Sequence, residues 1–185
     1  MKKKILFAAM AVTLNAGVIF AQTGNTMVGG ESMYPAKNII ENAVNSKDHT
    51  TLVAAVKAAG LVETLQGKGP FTVLAPTNDA FENLPQGTVE SLLQPENKSK
   101  LSGVLTYHVL AGKYDFNTIS KAIKDGKGTV SMKTVAGGSL TFMMNGSHNI
   151  SVKDENGGVA NISTYDVYQS NGVIHVLDKV LLPKM

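Results

Sequence analysis

The pattern of apolar and polar positions changes character along the chain. In the first part, apolar residues recur at helical spacing, as in Leu52, Val53 and Val56, and Gly60 ends that run. In the last third, short strand-like runs alternate with turn signals, and Asn145-Gly146 predicts a hairpin. Helices followed by antiparallel strands predict an α+β domain, in which the helices pack against a sheet.

Residues 69–81 combine a strand and a helix within a short stretch. The run 71–75 is apolar and rich in strand formers, and Pro76 ends it because proline cannot donate to a sheet ladder. The side-chain oxygen of Thr77 or Asn78 can then cap a helix whose Phe81 packs back over the strand. We expect the rest of the chain to be organised around this element.

The N-terminus has the features of an export signal. Three lysines precede an apolar run over residues 5–20, and the small residue Ala21 offers a cleavage site, which predicts a signal peptide at 1–21. A membrane anchor is the alternative, but the run is short and no stop-transfer charges follow it. Residues 22–37 are mostly polar and glycine-rich, so we predict a flexible linker before a domain at 38–185. The product is expected to be secreted or periplasmic, or held at the cell surface, without a transmembrane anchor.

The excess of basic over acidic residues in the chain comes from the predicted signal peptide. The full chain has 17 basic and 14 acidic residues, and the leader holds three of the basic ones and none of the acidic ones. The remainder is therefore formally neutral, and its lysines are scattered. This composition argues against a nucleic-acid partner.

The sequence offers little that resembles catalytic chemistry. The absence of cysteine excludes thiol catalysis and thiolate metal sites. His49 and His148 are expected to be exposed, whereas His108 and His175 lie within apolar runs. The latter two could form a metal site or an acid–base pair, or be core histidines that bond to the backbone, and we favour the core role. No spacing matches a known catalytic or metal motif, so we predict no cofactor, no metal site and no enzymatic activity.

Three stretches together resemble the fasciclin domain family, an extracellular adhesion module. They are residues 72–81, the Tyr-His stretch at 107–110, read as a short strand, and residues 171–183. Their order and spacing fit the family over roughly residues 38–183. The resemblance implies a fasciclin-type β-wedge of mainly antiparallel strands with helices packed against it.

The same resemblance indicates candidate binding residues. In animal members, a Tyr-His region and a later Asp-Ile segment are tied to integrin binding, and here Tyr107, His108, Asp166 and Val167 stand at those positions. Valine replaces isoleucine in the second segment, and the flanking tyrosines differ from the animal motif. Tyr107 and His108 could instead brace the fold.

Two functions follow from the resemblance and the composition. The first is an exported, non-enzymatic adhesion module that contacts a cell-surface or matrix protein or glycan. The alternative is a secreted or periplasmic carrier that holds a lipid or small apolar ligand between helices and sheet. A pocket of roughly several hundred Å³ would favour the carrier, whereas a closed core with an exposed apolar patch would favour adhesion.

Overall fold

The computed structural model describes residues 25–184, so the predicted signal peptide at 1–21 lies outside the described residues. The described chain forms seven α-helices and two short 3₁₀ turns. The helices are α1 Ile39–Ala43, α2 Thr50–Ala59, α3 Val62–Gln66, α4 Asn78–Glu82, α5 Thr88–Leu92, α6 Lys98–Tyr107 and α7 Phe116–Asp125, and the 3₁₀ turns are Lys47–His49 and Pro95–Asn97.

Nine strands are present in the same residues. They are β1 Thr26–Val28, β2 Glu31–Met33, β3 Phe71–Pro76, β4 Val109–Ala111, β5 Thr129–Lys133, β6 Ser139–Asn145, β7 Asn149–Lys153, β8 Val159–Gln169 and β9 Gly172–Leu177. Strands β1 and β2 form a separate hairpin. The other seven form one sheet in the order β4-β3-β9-β8-β7-β6-β5, in which only β3 and β9 run parallel.

The two ends of this sheet approach each other. The loop after β5 reaches the outermost strand at the other end, where the Val135 N–H donates to the Val109 carbonyl at 2.8 Å. The Ala136 N–H donates to the Thr106 carbonyl, at the end of α6, at 3.3 Å. The sheet therefore curls almost to closure, which confirms the predicted α+β wedge of mainly antiparallel strands.

The predicted strand and helix at 69–81 are present. Strand β3 ends at Pro76, and the Thr77 hydroxyl accepts a hydrogen bond from the Ala80 N–H at the start of α4. Phe81 is buried. Because β3 is covered on both faces, Val73 and Ala75 join one apolar core, while Leu74 between them joins another.

The two cores divide the helices between them. The first lies between the sheet and α1–α4 and α6, and it includes Leu52, Val56 and Ile174. The second is enclosed by α7 and the inner face of β6–β9, with Phe142 and Leu177 among its members. These cores hold the candidate site residues in place.

The prediction of a flexible linker at 22–37 is wrong for residues 26–33, which form the β1–β2 hairpin. Gly29 and Gly30 make its turn with φ of 60° and 77°, a conformation that glycine adopts without strain. Val28 and Met33 are buried in the first core. A glycine-rich stretch with only two buried apolar side chains has no periodicity that would predict a hairpin.

The Tyr-His stretch also differs from its prediction as a strand. Tyr107 is the last residue of α6, His108 is its C-cap, and β4 begins only at Val109. The stretch marks a helix-to-strand junction, where neither helical nor strand periodicity is complete.

Candidate binding site

Tyr107 is completely buried and joins three parts of the fold. Its hydroxyl donates to the Ser139 carbonyl at 3.0 Å and accepts from the Glu155 N–H at 3.2 Å. Burial raises the pKa of the phenol, and the Glu155 and Asp154 carboxylates add to this shift, whereas the bond from the Glu155 N–H opposes it. The side chain therefore stays neutral and ties α6 to β6 and to the turn after β7.

His108 is buried and has both ring nitrogens bonded to the backbone. Nδ1 lies 2.8 Å from the Val104 carbonyl, and Nε2 accepts from the Leu181 N–H at 3.0 Å. The carbonyl requires a proton on Nδ1, and the amide requires a lone pair on Nε2, so the ring is the neutral Nδ1–H tautomer. Burial lowers the His108 pKa to about 4. Neither nitrogen is left to bind a metal or move a proton.

Asp166 and Val167 lie at a bulge in β8, opposite β9. Asp166 has a φ of 54°, and its Oδ1 accepts from the Phe116 N–H at the start of α7 at 2.8 Å. The Asp166 N–H donates to Nδ1 of His175 at 3.3 Å. Val167 is buried in the first core. Of the four predicted site residues, only Asp166 is partly exposed.

His175 is buried beneath Asp166. Its Nε2 lies 2.8 Å from the Tyr114 carbonyl, to which it donates, and its Nδ1 accepts from Asp166, so this ring is the Nε2–H tautomer. Burial lowers its pKa. His108 and His175 bond to different partners, and each has the core role that the sequence favoured. Their hydrogen bonds give no support to a shared metal site or an acid–base pair.

Exposed and partly exposed side chains lie near Asp166. Tyr168, two residues along β8, is 38% exposed, and the Lys113 Nζ lies 4.6 Å from the centre of its ring. Partial burial raises the Tyr168 pKa, and the carboxylates of Asp166 and Asp115 raise it further. We call Lys113, Asp115, Asp166 and Tyr168 the Tyr168 patch. The sequence marked only Asp166 of these residues, because the patch joins a loop to a strand about fifty positions away.

Asp115 is held in the patch by α7. It is the N-cap of that helix, and its Oδ1 accepts from both the N–H and the hydroxyl of Thr118, at 2.8 and 2.6 Å. These two hydrogen bonds lower the Asp115 pKa, and the nearby charge of Lys113 lowers it further. The patch therefore presents two carboxylates, one ammonium and one aromatic ring.

A narrow cavity lies in the first core, between α1, α2 and the sheet. Its volume is about 80 Å³, and apolar side chains such as Val56, Leu65 and Ile174 form most of its wall. His49 also lines it and is only 3% exposed, which corrects the prediction that this histidine is exposed. The hairpin residues Val28 and Met33 cover this region, which the sequence did not predict.

Metal-binding side chains are dispersed in the part of the chain that the structure describes. Among residues 25–184, no three His, Cys, Asp or Glu side chains lie close enough together to hold one ion. His148 is exposed in the turn after β6, as the sequence predicted.

Comparison with known proteins identifies the family. The model of the fasciclin domain matches residues 47–183. The protein sll1483 of Synechocystis sp. is 50% identical over 152 residues, which cover 81% of this chain and 76% of that protein. The chain belongs to the fasciclin domain family.

Two further relatives extend the comparison. The immunogenic protein MPB70 of Mycobacterium bovis is 35% identical over 166 residues, with 87% of this chain and 75% of that protein covered. A solved structure of a FAS1 domain pair from the insect cell adhesion molecule fasciclin I shares the fold, with a TM-score of 0.68 and 18% identity. The match covers 79% of this chain and about half (51%) of the insect chain.

The fasciclin match clarifies which parts of the site follow from the family. Both Tyr107-His108 and Asp166-Val167 lie inside the matched residues, whereas the β1–β2 hairpin precedes them. Fasciclin domains occur in cell adhesion proteins, as the insect structure shows. Within residues 25–184, none of the helices has the length and apolar character that crossing a membrane requires. A binding role for the four residues named from the sequence stays a prediction.

Proposed function

We propose that this fasciclin domain is an exported, non-enzymatic binding module that contacts a protein or glycan on a cell surface or in a matrix. The observation that supports the proposal is a difference between two sets of polar side chains: one set is buried and bonded within the fold, and the other is accessible to solvent. Tyr107, His108 and His175 use their polar atoms within the fold. In the Tyr168 patch, by contrast, Lys113 and Tyr168 are exposed and the two carboxylates are partly exposed. Export is inferred from the signal-peptide pattern at 1–21.

The Tyr168 patch has features that favour recognition of a partner. Tyrosine contributes a large contact area at a low entropy cost and is enriched among the residues that dominate binding energy. Lys113 lies over the ring, which restricts both side chains before a partner arrives. The Asp166 carboxylate is held by the Phe116 N–H, so its position is also set in advance. A partner that donates hydrogen bonds to the two carboxylates and packs on the ring would fit this surface.

The carrier alternative is less well supported by the cavity. Pockets for drug-sized ligands span roughly 300–1,000 Å³, whereas this cavity measures about 80 Å³. A lipid does not fit in that volume. We therefore place the main function at the surface.

Binding of the full chain to immobilised cell-surface extracts tests the proposal. We expect Tyr168→Ala to weaken binding about tenfold or more, with little change in the melting temperature. Val135→Ala is the matched control, because Val135 is 48% exposed and lies outside the patch. Protease treatment of the extract should abolish binding if the partner is a protein, and periodate treatment if it is a glycan. Equal binding by Tyr168→Ala and the native chain would place the contact elsewhere.

A further inference from the structure

A surface groove lies between α4, α5 and the start of α2. Its volume is about 350 Å³, and it shares no residue with the Tyr168 patch or with the cavity in the first core. Leu84 and Val89 give it apolar surface, and the exposed residues Glu82 and Glu90 also line it. An apolar cavity of roughly 150 Å³ binds benzene, so this groove has room for about two side chains of that size. We call it the α4–α5 groove.

The wall of the groove that α2 and α4 form is fixed by hydrogen bonds. The Asn78 Oδ1, at the start of α4, accepts from the Thr51 N–H at 3.0 Å and from the Thr50 hydroxyl at 3.2 Å. Its Nδ2 donates to the Lys47 carbonyl at 2.8 Å. Phe81, further along α4, is buried in the first core and also lines the groove. This wall is therefore preorganised for binding.

The wall that α5 forms is held less firmly. None of the residues of α5 is fully buried, and Val89 and Leu92 are only partly buried where they pack against the first core. Elements with few buried apolar contacts are the ones that move at the lowest cost in free energy. The groove therefore has one fixed wall and one wall that can adjust to a bound side chain.

The groove lies in an acidic segment of the chain. Residues 69–97 include four acidic residues and no lysine or arginine, although the chain after the predicted signal peptide is formally neutral. Within the described range 25–184, neither Glu82 nor Glu90 forms an ion pair, and Lys47, which lies beside α4, pairs with Glu31 at 3.8 Å. Apolar surface combined with uncompensated negative charge favours a partner that is both apolar and cationic.

We propose that the α4–α5 groove binds a peptide segment of a partner protein in which an apolar residue stands next to a lysine or arginine. The apolar side chain packs on Leu84 and Val89. The basic side chain lays its aliphatic stem along the groove and bonds through its charged end to Glu82 and Glu90. This site goes beyond the proposed function, because it is separate from the Tyr168 patch and does not depend on what that patch binds.

Titration of the ¹³C-methyl-labelled full chain with the capped peptide acetyl-Leu-Arg-Leu-amide tests the proposal by NMR. We expect saturable shifts of the Leu84 and Val89 methyl groups, with an affinity that falls as the salt concentration rises. The control peptides acetyl-Leu-Glu-Leu-amide and acetyl-Gly-Arg-Gly-amide lack the positive charge and the apolar side chains respectively, and both should bind more weakly. Absence of saturable shifts with the first peptide, or equal affinity for either control, would overturn the proposal. Shifts of the same methyl groups on dilution of the chain alone would also overturn it, because they would show that a second copy covers the groove.

Variants of three exposed glutamates separate the groove from the general charge of the segment. Glu82→Gln and Glu90→Gln keep the size of the side chain and remove its charge, so we expect each to weaken binding of the arginine peptide about threefold. Glu96→Gln is the matched control, because it removes the same charge from the same segment but does not line the groove. It should bind like the native chain, and all three variants should keep the native melting temperature. Equal affinities of the Glu82→Gln and Glu96→Gln variants would contradict the proposed site.

Discussion

The imidazole of His108 and the backbone of Leu181 are joined by a hydrogen bond across 73 positions of sequence, with Nε2 accepting from the N–H at 3.0 Å. On its other side, the same ring bonds to the Val104 carbonyl at 2.8 Å. His108 thus connects α6 to the segment that follows β9, and Leu181 is itself buried in the second core. The family resemblance indicated His108 as a binding residue, but in the structure its ring joins two segments of the fold by hydrogen bonds.

We predict that His108→Ala destabilises the domain by about 2–4 kcal/mol. The change leaves the Leu181 N–H and the Val104 carbonyl buried without partners and creates a cavity. Urea unfolding at pH 7, followed by circular dichroism, measures the loss. His148→Ala is the control, and we expect it to change stability by less than about 0.5 kcal/mol because that side chain is exposed. Equal stability of the two variants would contradict the structural role of His108.

Stability should also fall in mild acid. The His108 pKa is lowered to about 4 in the folded protein, compared with about 6.5 in an unfolded chain. Between these values the unfolded state binds more protons, so the stabilising effect is complete above pH 6.5 and is lost as the pH falls towards 4. The shift corresponds to about 3 kcal/mol. Burial lowers the pKa of His49 and His175 as well, so all three act in the same direction.

Urea unfolding at pH 7 and pH 4.5 measures this dependence. The native chain should lose about 2–3 kcal/mol from His108 between the two pH values. His108→Gln removes this titrating group, so its stability should depend less on pH, even if the variant is less stable at pH 7. An identical pH dependence in both proteins would show that His108 does not titrate as described.

Asp166 should be replaceable by Asn but not by Ala. Its φ of 54° is a conformation that Asn tolerates well, and an amide oxygen can still accept from the Phe116 N–H. Asp166→Ala removes the acceptor and places a less tolerant residue at the bulge, so we expect a loss of about 1–3 kcal/mol. Thermal unfolding of the three proteins provides the measurement. A melting temperature of Asp166→Asn as low as that of Asp166→Ala would indicate that the charge, and not the geometry, stabilises the bulge.

The β1–β2 hairpin should contribute to stability. Met33 is 3% exposed in the first core, whereas Met27 of the same hairpin is 58% exposed. We expect Met33→Ala to cost about 2–4 kcal/mol, and Met27→Ala to have an effect within about 0.5 kcal/mol. Chemical denaturation compares them. If residues 22–37 behave as a linker in solution, the two substitutions will have equally small effects.

The elements that a few adjacent residues predicted, a helix cap and a hairpin, are present in the structure. Thr77 caps α4, because a side-chain oxygen at an N-cap needs only the next three residues to act. The hairpin predicted at Asn145-Gly146 joins β6 and β7 through the loop 146–148, in which Gly146 has a φ of 76°, a conformation that depends on this residue alone. The α+β class and the family also follow from the sequence, since the three matching stretches have a distinctive order.

Features that depend on contacts between distant residues do not follow from the sequence pattern. The β1–β2 hairpin is stabilised by packing of Val28 and Met33 on a core made by other elements, and its own composition resembles a linker. His49 is buried because the hairpin and α2 enclose it, although the sequence predicted that it is exposed. Nothing in the adjacent sequence reports either packing arrangement.

The order of residues along this chain is sufficient to determine the cap of α4, the hairpin at Asn145-Gly146, the α+β class and membership of the fasciclin family, because each depends on short-range geometry or on motifs read in sequence. The exposure of Tyr168 beside Lys113, the burial of His108 against Leu181 and the cavity around His49 arise only when distant elements pack together. Burial and hydrogen-bond partners are properties of the packed chain, so these features decide which polar groups are available for binding and which stabilise the fold.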